Sequence, residues 1–155
     1  MTIPYTIERI WEGETVVVIG NADKMTAAIA NKYQSFRSIA VNRAVKFAPW
    51  ADILVSIDGN WPKEGENFAG VRIVGNTSEI DAGMIDFPRE RVSLQTGTVL
   101  HIRNNSISAI RLAADLGASK IVLVGFDPAA YEKKNDFSGF AVALDALITE
   151  LREKG

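Results

Sequence analysis

Thr15-Val16-Val17-Val18-Ile19 runs into Gly20-Asn21, and the turn then opens toward Asp23. Far along the chain, Ile121-Val122-Leu123-Val124 runs into Gly125-Phe126-Asp127 in the same way. Each is a continuous apolar run that stops at a glycine. A run without polar alternation suits a strand buried on both faces, as in a parallel sheet. Open sheets of this kind bind ligands beyond the carboxyl ends of their strands. The two junctions therefore imply a crevice before any catalytic residue is identified.

Outward from these junctions, further strands are expected at Ser38 to Asn42, Ile53 to Ile57 and Val71 to Val74, the last two ending at Asp58-Gly59-Asn60 and Gly75-Asn76. Pro49-Trp50 and Trp61-Pro62 bracket the middle one and favour turns. Asp23 to Tyr33 reads as a short helix, with Met25, Ala28 and Ile29 inward. Asn105 to Leu116 reads as a second, stopped by Gly117. Phe140, Leu144, Leu147, Ile148 and Leu151 share one face of a third. Residues 77 to 100 offer only short β pieces near Met84-Ile85 and Val92-Leu94, and suit a lid, an interface or part of the sheet equally. Trp11, in the lead-in, is expected against the sheet edge. Alternating strands and helices give an α/β class with a mostly parallel sheet.

The chain of 155 residues is read as one domain, 1 to 155, long enough to bury a core without covalent staples. It has no cysteine, which excludes disulfides and thiolate metal sites and agrees with a cytoplasmic location. A net charge of −2 supplies no broad basic field, so no duplex nucleic acid partner is expected. No apolar run spans a bilayer and no signal-peptide pattern opens the sequence, so no membrane partner is expected either.

Three groups carry the candidate ligand chemistry. Gly20 lets a ligand approach the backbone, and Asn21 stands at the turn beyond it; a tight turn would need the glycine equally. The turn matches neither the Walker loop nor the three-glycine dinucleotide fingerprint. Arg103-Asn104-Asn105-Ser106 precedes the second helix: Asn105 or Ser106 suits the cap, and Arg103 with the first amides suits a phosphate. Asp58, Asn60 and Asp127 lie just past strands, where they suit sugar hydroxyls, a divalent cation or plain turn formation, and Asn42 ends a neighbouring strand. His101 is the single histidine, and no serine is placed beside it to form a triad. Trp50, Trp61 and Phe126 suit base stacking or ordinary packing. No residue is assigned as catalytic or as a metal ligand, and no cofactor is named.

In order, Val16-Val17-Val18-Ile19-Gly20-Asn21, Ile39-Ala40-Val41-Asn42, Ala48-Pro49-Trp50-Ala51-Asp52, Ile57-Asp58, Asn104-Asn105-Ser106, Ala109-Ile110, Leu112-Ala113, Leu116-Gly117-Ala118 and Gly125-Phe126-Asp127 resemble a Rossmann-like family frequent in phage genomes. That family is related to 6-hydroxymethylpterin pyrophosphokinase-like proteins and, more distantly, to bacterial sialyltransferase-like enzymes. The resemblance spans most of residues 15 to 127 and implies a single-domain Rossmann-like three-layer sandwich with a nucleotide-type pocket. Three departures bear on chemistry. Asn21-Ala22-Asp23-Lys24 replaces a Gly-Pro-Ser type turn, Ser106-Ile107 replaces a Ser-Gly pair, and Pro128-Ala129-Ala130-Tyr131 carries no histidine where the family often has one. The resemblance thus speaks for a pocket more than for transfer.

Two functions follow as expectations. The first is a phage-type protein that binds a nucleotide-derived small molecule without turnover, in the host cytoplasm, with sequestration of an immune signal (an anti-defence role) as one use. The alternative is an Mg-dependent pyrophosphoryl- or glycosyl-transferase using a nucleotide donor, with Asp58 and Asp127 holding the metal or acting as base. A pocket shared between copies in a homo-oligomer is compatible with both.

Overall fold

The computed structural model describes residues 9–56, 63–74, 84–86, 92–93, 99–100, 105–126 and 152. Eight strands are present among them: β1 Thr15–Ile19, β2 Arg37–Val41, β3 Ile53–Ser56, β4 Val71–Val74, β5 Met84–Asp86, β6 Val92–Ser93, β7 Val99–Leu100 and β8 Lys120–Val124. Six form one sheet in the order β5-β4-β3-β2-β1-β8, and every pairing in it is parallel. β6 and β7 pair separately as an antiparallel ladder.

The order contains one reversal. From β1 the chain steps outward strand by strand to β5, and then returns to lay β8 on the other side of β1. Parallel crossovers are almost always right-handed, so reversing the direction of travel moves the connecting segments to the opposite face of the sheet. The packing follows that rule. Helix α1, Ala27–Asn31, and the 3-10 turn Asn42–Lys46 lie on one face, with Ala30, Ala44 and Val45 against Val17, Ile19, Ala40 and Leu54. Helix α2, Asn105–Asp115, lies on the other, with Ile107, Ile110 and Leu112 against Val16, Val18, Ile39 and Val55. Two covered faces are why β1 and β3 carry no polar alternation, whereas β8, expected to be buried on both faces, leaves Leu123 40% exposed. The result is an α/β, Rossmann-like arrangement.

Local chemistry explains where elements stop. The expected helix from Asp23 shortens because Thr26, not Asp23, caps it: the Thr26 hydroxyl accepts from the Ile29 amide at 3.2 Å. β2 ends at Val41 because Asn42 turns to φ 51 and starts the 3-10 segment. α2 closes as a Schellman motif. Gly117 takes φ 104, its amide donates to Ala114 at 3.0 Å, and the Ala118 amide donates to Ala113 at 3.1 Å. Trp11 packs just ahead of β1, beneath the end of α2. Its amide donates to the Leu116 carbonyl at 2.9 Å and its ring is buried between α2 and the sheet, because β1 is an interior strand and its lead-in meets the end of α2. The amphipathic stretch 140–151 lies outside the described residues.

Candidate functional site

Because α2 leads directly into β8 and runs antiparallel to it, the helix start lies at the carboxyl edge of the sheet. The ends of β1, β2 and β8 lie there too. The reversal of strand order falls at the β1/β8 boundary, the kind of topological switch point at which open α/β sheets bind ligands.

At that boundary the two glycine turns meet. The Gly20 amide donates to the Val124 carbonyl at 2.7 Å, and the Ala22 amide donates to the Gly125 carbonyl at 2.8 Å. The ladder thus continues past the last paired residues. A Cβ on Gly20 would stand 2.7 Å from the Gly125 carbonyl oxygen and 2.9 Å from the Phe126 ring. One on Gly125, whose φ is 79, would meet the Gly20 carbonyl oxygen. The space beside Gly20 is therefore filled by protein, and its glycine requirement arises from backbone packing. Gly125 and Phe126, absent from the sequence-derived site, complete this junction. The matching Gly125 stop was the signal for them.

Two amide side chains flank the junction. Asn21 is exposed, and Asn42, half-buried, stands at the end of the adjacent strand. Among the described residues neither side chain has a hydrogen-bond partner, and Asn42 makes no cap to its own 3-10 turn. Asn42 also holds a left-handed φ of 51, a region that asparagine enters more readily than most residues. Asp23 and Lys24 are exposed in the same turn as Asn21.

At the helix start, two of the expected site residues are described. Asn105 already belongs to α2. Ser106 lies inside the first turn, 5% exposed and already engaged, which places it in the core boundary rather than at a ligand-facing cap. The positive end of the α2 dipole faces the rim. Asp58, Asn60, Arg103, Asn104 and Asp127 lie outside the described residues, as do His101 and Trp61. The structure thus brings Gly20, Asn21, Asn42, Asn105 and Ser106 to one edge. Among the described residues no group of three His, Asp or Glu side chains forms a metal site, and no helix is long and apolar enough to cross a membrane.

No family model, curated protein or solved structure matches this chain.

Proposed function

We propose that the protein binds a nucleotide-derived small molecule at the carboxyl rim, across the β1/β8 switch point, and holds it without turnover. The observation that carries this reading is the single reversal of strand order at β1/β8, beside two asparagines that no described residue engages. Carboxamides offer both donors and an acceptor, suited to base edges and ribose hydroxyls, and they do not ionise near neutrality. The α2 dipole and the exposed Lys24 favour the phosphate end of such a ligand. Sequestering a nucleotide signal is one use of a protein of this kind, and a second copy could complete the pocket.

The test is mass spectrometry of what the purified chain releases on gentle denaturation, alongside its native mass. A nucleotide recovered near one per chain or per dimer supports the reading and names the ligand. A recovered nucleotide that is converted on incubation with fresh protein refutes holding without turnover. An empty chain that no nucleotide stabilises thermally, with or without Mg²⁺, refutes the binding itself.

A further inference from the structure

A cavity of about 450 Å³ opens at the opposite, amino edge of the sheet. Small-ligand pockets run from about 300 to 1,000 Å³, so the size admits a ligand. The cavity is lined by the entries to β1 and β2, by the turn carrying Gln34 and Phe36, and by Trp50 and Asp52 ahead of β3. The geometry points to a second binding site there, for a neutral polyhydroxylated ligand of the sugar class. It is independent of the carboxyl-rim reading.

The charges decide the ligand class. The Arg37 Nε donates to Glu14 Oε2 at 3.0 Å. Asp52 Oδ2 accepts from the Ser38 amide at 3.0 Å and from its hydroxyl at 3.5 Å. Each charge is therefore already held by a partner. An anion entering the cavity would meet two carboxylates against one guanidinium, and a cation would have to displace Arg37 from Glu14 or the Ser38 amide from Asp52. A neutral molecule dense in hydroxyls meets no such opposition. It can donate to the carboxylates and accept from the terminal nitrogens of Arg37, which no described residue engages.

Aromatic surface completes the argument. Phe36 is 43% exposed and Trp50 is half-buried, and both line the cavity. The Trp50 indole N–H donates to Asn31 Oδ1 at 3.0 Å, which fixes the ring before any ligand arrives. Aromatic surface beside hydrogen-bonded polar groups matches the apolar C–H faces and hydroxyl edges of a pyranose or furanose ring. Holding these groups in place beforehand reduces the ordering cost of binding.

The experiment follows the three tryptophan indole N–H resonances of the ¹⁵N-labelled full chain, with Trp50→Phe assigning the relevant one. D-ribose, D-glucose, N-acetyl-D-glucosamine and inorganic phosphate are titrated separately. The expected result is a saturable shift of the Trp50 resonance with at least one sugar, with Kd around or below ~10 mM, and little response to phosphate. Arg37→Ala, at an exposed position, should weaken that sugar about tenfold, and Gln34→Ala less, while the spectrum stays folded. No saturable shift with any sugar, a phosphate response as large as the sugar's, or unchanged affinity in Arg37→Ala would each overturn the assignment. Asn21→Ala should leave sugar binding intact, so failure here and failure at the carboxyl rim are separable.

Discussion

At the carboxyl edge of the sheet, β1 and β8 finish in a backbone contact, Gly20 against Gly125, with the Phe126 ring and the Met25 sulfur packed beside it. At the amino edge, β2 and β3 begin through side-chain bonds, Asp52 tying its strand to Ser38 and Arg37 tying β2 to Glu14 ahead of β1. The difference separates rigidity from recognition. The glycine contact fixes where two strands end and leaves the asparagines beside it unengaged. The amino edge spends its polar groups on one another and leaves a cavity among them. One edge is therefore suited to a ligand that supplies the missing partners, the other to a ligand that adds bonds to partners already held.

The largest expected effect tests the backbone contact. Gly125→Ala combines a left-handed φ with a Cβ driven onto the Gly20 carbonyl, so urea unfolding should show a loss of ~3 kcal/mol or more. A loss below ~1 kcal/mol would show that the two turns can move apart. Next comes the amino edge. Asp52→Ala strips the acceptor from the Ser38 amide, in a residue 1% exposed, and should cost ~2 kcal/mol, with Asp52→Asn costing less because one oxygen remains.

Asn42 sharpens the contrast between turn and ligand roles. Asn42→Val places a β-branched side chain at φ 51 and should cost ~1–2 kcal/mol, whereas Asn42→Gly should fold as well as the parent. If Asn42→Gly also retains the nucleotide, the asparagine serves the turn alone. Arg37→Ala should change stability by less than ~1 kcal/mol, because its pair with Glu14 is half exposed. The smallest effect belongs to the exposed Arg9–Glu12 pair. The hydrogen bond from Arg9 holds the Glu12 carboxyl below its ordinary value, against slight desolvation. A depressed carboxyl stabilises the fold above its unfolded pKa, and that contribution disappears as pH falls through the folded pKa. Glu12→Gln should therefore lower Tm slightly at neutral pH, and the gap should close in acid and in high salt.

Much of this architecture was legible along the chain. Val71–Val74 forms where its apolar run predicted, and α2 runs from Asn105 to Gly117's stop as its pattern required. The shifts came from local chemistry: the Thr26 cap starts α1 later than the expected Asp23, and Asn42 left the strand for a turn. Of the expected site residues, Gly20, Asn21 and Asn42 reach one rim, while Ser106 is drawn into the core boundary by the helix phase that also buries Ile107 and Ile110. Trp50, Arg37 and Asp52 gave no warning of a shared cavity, because Arg37 opens β2 while Trp50 and Asp52 belong to the connection into β3.

Strand and helix identity depend on neighbours within a few residues, so apolar runs, glycine stops and caps determined them from the sequence by itself. Strand order depends on which distant segments pair. Only the tertiary structure decided that β8 returns to the far side of β1, that Gly20 therefore meets Gly125, and that the starts of β1, β2 and β3 enclose a cavity. Those contacts join residues up to about a hundred positions apart, and no local periodicity encodes the choice among parallel neighbours with similar apolar faces.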